Sequence, residues 1–345
     1  MTKKSILFET MMLLVGNRVL LSRLVSSNYP FMMYLRLELS WLLLMTIGVH
    51  AGPLHWGQVS DDAQWVAHFD FEGLRQTSLY KDVSEQLLQQ YISEAETEIK
   101  RSSGIDMTID SVLSVTAFGK SANKAPDEDG ILMMEITPTL KTIAMDWLWN
   151  SHGAKPNELP VSVSKIDAEI EYLYSIDGEI LIAADTNSNH LCIGRNKELI
   201  IHFINVLGTQ NQRGTAKRQF KDYPSPEGTM AYIAVANTFD GAQLPAQQAK
   251  ILQMSKGASM AAGESNGNIF LKLLLSTEGS GASLQIQRIL AGVQAVAMLN
   301  AKQPEWFPVL QAIDIRNENQ RVWVDWNMSL QNATNFIHAL QGSTK

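Results

Sequence analysis

The sequence predicts an α+β fold of two similar halves, each an antiparallel sheet built from hairpins with helices packed on one face. Three observations point there. Segments with period-2 alternation are joined in pairs by short turn signals such as Asp177-Gly178 and Asn266-Gly267. Longer stretches with helical spacing of apolar residues lie between them. The order strand–helix–hairpin–helix–hairpin–helix runs over 60–208 and again over 229–341.

The first half opens with WVAHFDFEGL (65–74), where Val66, His68 and Asp70 alternate with Trp65, Ala67, Phe69 and Phe71. Its polar members read as the solvent-facing side of a strand. Residues 79–102 follow as a helix with Leu79, Val83, Leu87, Tyr91 and Ile92 on one face, and Gly104 stops it. DSVLSVTAFG (110–119) and GILMMEITP (130–138) form a hairpin across KAPDEDG. TLKTIAMDWLWN (139–150) is a helix with Ile143, Trp147 and Leu148 as its core face. Strands at 165–176, 179–186 and 190–194 succeed it, and the helix KELIIHFINVLG (197–208) closes the half on Gly208.

Residues 209–228 show no apolar period and end in Pro224-Ser-Pro226-Glu-Gly228, the pattern of a linker. Arg213, Lys217, Arg218 and Lys221 lie there and read as solvated charges rather than an anion site. The second half has a strand at 230–239 and a helix at 243–256 with Pro245 in its first turn. A hairpin follows at 257–278, then a helix at 280–301 containing Leu284, Ile289, Leu290, Val293 and Val296. A short helix EWFPVLQAI, a hairpin at 313–330 and the helix QNATNFIHALQ complete the chain. The duplication aligns WVAHFDF with MAYIAVANTF, and GILMMEITPTLKTIAMDWL with NIFLKLLLSTEGSGASLQIQRIL. Convergence on a common plan is the other reading.

Ahead of both halves stands Met33 to Ala51, MYLRLELSWLLLMTIGVHA, with Arg36 in a polar front and an apolar run from Leu39 to Val49. Val49 and Ala51 occupy the −3 and −1 positions read by signal peptidases, so 32–51 is expected to be a signal peptide cleaved after Ala51. The run is too short to span a bilayer. Residues 1–31 read either as a start codon placed too early or as an arm carrying Lys3, Lys4, Arg18 and Arg23; the first reading is preferred. The expected location is the periplasm or the extracellular space, with membrane contact only through the leader.

Without 1–51 the chain has 23 basic and 33 acidic residues. An acidic chain with no basic stripe excludes a nucleic-acid grip. Cys192 is the one cysteine, so no internal disulfide forms; it reads as a small buried hydrophobe on the strand HLCIG rather than a reactive nucleophile.

No cofactor or metal is expected. Gly279-Ser280-Gly281 lacks the lysine of a P-loop and reads as a helix start. Asp127-Glu128-Asp129 lacks the alternating oxygen ligands of a calcium loop. His68 and Asp70, two apart on one strand face, are the weak candidates for a base and its orienter, with Glu135 and Asp110 from neighbouring strands joining them. His152, His190, His202 and His338 show no ligand spacing. Trp323 and Trp326, three apart on a strand, face opposite sides: one packs in the core while the other is exposed or covers a neighbouring element.

The leader, WVAHFDFEGL, SVTAFG and the repeated plan resemble a loose group of exported bacterial α+β proteins of planctomycete type, over roughly 60–340. That resemblance implies export and the fold, but no activity and no site residues. The functional expectation is an exported protein acting by binding or structural interaction, on an unknown protein or apolar ligand. The alternatives are a carrier or sensor of an apolar small ligand held between sheet and helices, with Met133-Met134 and Met254 to Met260 suiting the pocket, and a hydrolase using His68 and Asp70.

Overall fold

Alternating strands joined by tight turns build one antiparallel sheet of twelve strands in the computed structural model. It describes residues 54–81, parts of 93–101, 108–121, 126–151, 163–165, 173–176, 178–184, 188–208, 219–236, 251, 254–301 and 304–342. The leader with its cleavage site, most of the 79–102 segment, most of the helix expected over 243–256, His152 and the basic residues Arg213, Lys217 and Arg218 lie outside the described residues, while Ser255 and Lys256, the expected end of that helix, belong to a strand instead.

The first half contributes β1 (Trp65–Asp70), β2 (Val112–Gly119), β3 (Gly130–Ile136), β4 (Val163–Lys165), β5 (Leu173–Ile176), β6 (Ile180–Ala184) and β7 (His190–Gly194). The second contributes β8 (Thr229–Ala236), β9 (Ser255–Ser265), β10 (Asn268–Thr277), β11 (Ile313–Glu318) and β12 (Arg321–Ser329). The helices whose bounds fall within the described residues are α1 (Phe71–Gln76), α2 (Pro126–Asp129), α3 (Pro138–Ser151), α4 (Lys197–Gly208), α5 (Ser280–Asn300), α6 (Trp306–Gln311) and α7 (Leu330–Gly342). The class is therefore α+β. Where the sequence suggests a sheet in each half, β1 and β8 pair antiparallel, Ala67 opposite Ile233, and join everything into one. Outward from that seam the order is β1-β2-β3-β7-β6 on one side and β8-β9-β10-β12-β11 on the other, with β5 and β4 added beyond β6.

The β9–β10 hairpin turns through Asn266 and Gly267, both at positive φ (52° and 72°), the conformation a two-residue hairpin turn requires. Gly178 at φ 71° serves the β5–β6 turn in the same way. The single strand expected over 165–176 is instead divided between β4 and β5, which pair with each other.

Helices cover both faces, not one. The front face, carrying Val66, Phe118, Met133 and Cys192, is packed by Leu199 and Ile200 of α4 and by Phe220 and Tyr223. The last two belong to the stretch expected to be a solvated linker; Tyr223 is locked down by the Tyr232 hydroxyl, which donates to its carbonyl at 2.6 Å. The back face carries α3, α5, α6 and α7. The physical reason lies in the strands. Front-face residues of β6 and β7 are apolar (Leu181, Ala183, Cys192) and need a cover, whereas the corresponding side of β11 and β12 carries Asp314, Arg316, Asp325 and Asn327 and tolerates water.

Two helices dock in a way that periodicity alone misjudges. In α3 the buried positions are Leu140, Ala144 and Leu148, while Ile143, assigned to the core face, stands exposed. In α5 the buried positions are Ser283, Ile286 and Ala297. That side lies along the open edge of β11: Gln287 donates to the Ile315 carbonyl at 3.3 Å, and Gln294 to those of Ile313 and Leu310 at 3.0 and 2.8 Å. An edge strand presents unpaired carbonyls, and the glutamines satisfy them. With Ser283, Ile286, Leu290 and Ala297 on the docked side, Leu284, Val293, Val296 and Leu299 are left exposed.

Candidate functional site

Of the residues singled out as acid–base candidates, His68, Asp70 and Glu135 fall on the front face of β1 and its neighbours; His68 and Asp70 are buried rather than solvent-facing, and Glu135 is half-buried. His68 is 6% exposed and Asp70 2%. The side of β1 that looked amphipathic lies beneath the front-face cover, so its polar atoms need partners within the protein. His68 sits between Thr116 on β2 and Tyr232 on β8, and its Nδ1 meets the Thr116 hydroxyl at 2.8 Å. Asp70 is the N-cap of α1: its Oδ1 accepts the Gly73 N–H at 2.8 Å, which ends the strand and starts the helix.

Register extends this polar band. Asp70 stands opposite Ser114, Ser114 opposite Glu135, and Glu135 opposite His190, so the four occupy one row across β1, β2, β3 and β7. The Ser114 hydroxyl donates to Glu135 Oε2 at 3.2 Å. His190 Nδ1 meets the Ser188 hydroxyl at 2.8 Å, and Gln58 Nε2 approaches His190 Nε2 at 3.3 Å. An amide nitrogen only donates, so this arrangement assigns the lone pair to Nε2 and the proton of the neutral ring to Nδ1. Lys141 of α3 donates to the Ser188 carbonyl and fixes the loop that carries it.

The structure thus brings Asp70 and Glu135 into one row with Ser114 between them, and places His68 one register pair along. Asp110 falls elsewhere: it is exposed in the 3-10 turn Ile109–Ser111 and faces Arg75 Nε at 3.7 Å. Sequence reasoning missed His190, Ser188 and Gln58. The alternation that puts Cys192 inside also puts His190 on the same face, and that signal was available. Among the described residues, no three His, Cys, Asp or Glu side chains stand close enough to hold a metal ion. The chemistry of the row is that of a hydrogen-bonded seal. Its hydroxyls, amide and imidazole bridge strands and loop to one another, and the Asp70 carboxylate is used in a helix cap.

Cys192 is fully buried, and burial pushes its thiol well above the ordinary range, away from the nucleophilic thiolate. Trp326 is buried and donates from Nε1 to the Val309 carbonyl at 3.1 Å, while Trp323 on the opposite face is half-buried. Asp127, Glu128 and Asp129 belong to α2, with Asp129 buried.

The surface offers a different candidate. Among the described residues the exposed large hydrophobics are Ile143 and Trp149 on α3, Leu284, Val293, Val296 and Leu299 on α5, and Phe307 on α6. Leu299 is 86% exposed. Leu284, Arg288, Ala291, Ala295 and Leu299 recur at three- and four-residue spacing along the outer side of α5. Arg288 is the only ionic side chain among its 21 residues. By length and composition α5 is the one helix among the described residues apolar enough to cross a membrane, although part of it is packed on the sheet.

No family model matches the chain, and no curated protein matches it. Among solved structures it is similar to the treponemal protein TP0453: to crystal form III with a TM-score of 0.43 and 10% identity, over 84% of this chain and 99% of that one, and to crystal form I with a TM-score of 0.42 and 11% identity, over 84% and 98%.

Proposed function

We propose that this chain is an exported protein that acts by binding, and that the exposed side of α5 is its contact surface. The observation that carries the reading is the run of exposed apolar side chains on a 21-residue helix, Leu284, Val293, Val296 and Leu299, while Gln287 and Gln294 bond to carbonyls of β11. Contiguous apolar surface of this kind marks interaction sites. The roles of His68 and Asp70 in the sheet and the α1 cap support a binding role over hydrolysis. The leader supports export.

The reading also includes an internal duplication. The matching strand orders on either side of the β1–β8 seam support it. The residue alignment needs a shift of one: Ile131 packs on the front face and Ile269 on the back, so Ile131 corresponds to Phe270.

The test is a photo-crosslinking benzophenone side chain at Leu299, introduced in the producing cell. An adduct heavier than the chain is expected, with none from the same probe at exposed Glu227. Illumination that leaves only the free chain overturns the reading.

A further inference from the structure

The chain between the expected cleavage site and β1 forms a strap across the front face. Leu54, Val59 and Ala63 are buried in the front-face cluster. The 3-10 turn Trp56–Gln58 stacks the Trp56 ring on Phe220, with centroids 5.3 Å apart, and sets it edge-on to Tyr232 at 5.9 Å. Gln58 meets His190 of β7, Asp62 pairs with Lys120 at 2.6 Å, and Gln219 donates to the Asp61 carbonyl at 2.6 Å. Gln64 ends the strap between the two halves. Its N–H donates to the Gly119 carbonyl, and its carbonyl accepts from the Ala236 N–H, both at 2.8 Å. These partners lie between positions 119 and 236, so the strap docks only after both halves have formed around it.

Resting on the export part of the reading above, we infer that the bond after Ala51 is cut only while this strap is undocked, so that folding hides the site and the chain crosses its membrane unfolded. The limit is covalent. Gly52 and Pro53 alone separate that bond from Leu54, whose side chain is buried. A chain advances at most about 3.6 Å per residue, which holds the bond within about 10 Å of the Leu54 Cα. A folded body of this length has a radius of gyration of about 19 Å, so the tether is shorter than the body it must clear. A signal peptidase reads the −3 and −1 residues and draws the chain through an extended groove, and a docked strap withholds the residues that follow the bond. Cleavage of a folded substrate proceeds through its open fraction, which the burial of Leu54, Val59 and Ala63 and the Trp56 stack keep small. A chain that crossed already folded would therefore keep its leader. The order of the sequence supplies the window: the cleavage site emerges first, and Ala236, the last partner of the strap, follows 185 positions after Ala51.

The test uses the full precursor, unfolded in urea and diluted into detergent micelles, with a purified signal peptidase. Peptidase present at the moment of dilution is expected to cut after Ala51, read by N-terminal sequencing. Peptidase added after refolding is expected to cut at least tenfold more slowly. A flexible Gly/Ser insertion of about ten residues between Pro53 and Leu54 leaves the strap intact and moves the site away from it, by about 15–20 Å on average. That variant is expected to be cut at the fast rate even after refolding. Trp56→Ala, which loosens the strap without moving the site, is expected to recover part of the rate. Equal rates for the unfolded and the refolded precursor overturn the inference and leave export standing, as does an insertion variant that stays resistant after refolding. No cut in either state, or a cut elsewhere, removes the leader reading and the inference with it.

Discussion

At the scale of the residue, burial decides what each polar side chain is for. Asp70 and His68 carry atoms suited to acid–base work, but the Asp70 carboxylate caps α1 and the His68 ring bonds across the β1–β2 pair. Asp70→Ala is expected to cost about 1 kcal/mol through the lost cap, seen as a lower midpoint in denaturant with an unchanged slope. Tyr232 gives a prediction in pH. Burial first, and the nearby Tyr223 second, push its hydroxyl well above the ordinary tyrosine value. The unfolded chain releases this proton near pH 10 while the folded chain retains it, so stability falls as pH rises above that point. Thermal melts from pH 8 to pH 11 should show an alkaline loss that Tyr232→Phe flattens, at the cost of its bond to the Tyr223 carbonyl at neutral pH. If both proteins lose stability equally, Tyr232 does not carry the effect. Cys192 was legible at this scale, since an apolar run with period-2 alternation places it inside. The burial of His68 was not, because its face of the sheet is closed by residues such as Phe220 and Tyr223, more than 150 positions along the chain.

At the scale of the element, hairpins were legible and helix faces were not. Asn266-Gly267 dictates a turn through local backbone chemistry, and it forms as expected. The orientation of α5 depends on β11, an edge whose carbonyls require donors, and no windowed pattern of apolar residues contains that demand. Gln294→Ala should therefore destabilise by about 1–3 kcal/mol, because it leaves carbonyls of Leu310 and Ile313 without this donor. Hydrogen exchange should show faster opening along β11 than along β3; equal rates would separate α5 from the protection of that edge. Arg316, paired with Asp314, Glu318 and Asp325, adds charge that discourages further strands from joining. Strand β9 illustrates close packing. A Cβ at Gly257 would collide with the Tyr223 hydroxyl and the Val235 carbonyl, so Gly257→Ala should cost about 1–3 kcal/mol, while the same change at Gly292 is accepted. Urea titrations of the two variants compare them directly.

At the scale of the whole molecule, the β1–β8 seam makes the two halves one object. Core residues from both lie in a single front-face cluster, Phe118 and Cys192 with Tyr232 and Phe270. Calorimetry should give one unfolding transition with matching fluorescence and circular dichroism midpoints; two separated transitions would mean that the halves stand alone. The repeated order of elements was legible in the sequence, whereas the joining of the halves was not, because pairing between β1 and β8 has no local signature. That seam also sets a schedule. Strand β1 finds β2 soon after it emerges during synthesis, Phe69 opposite Val115, but its other edge awaits β8 and the arrival of Ala231. At ordinary synthesis rates the wait is about 10–30 s. Throughout that interval the first half presents a naked edge bearing Trp65 and Phe69, able to accept the β1 of another nascent chain in place of β8. The vulnerable moment of this protein therefore falls in the middle of its own making, and its length is set by how far apart two neighbouring strands are written.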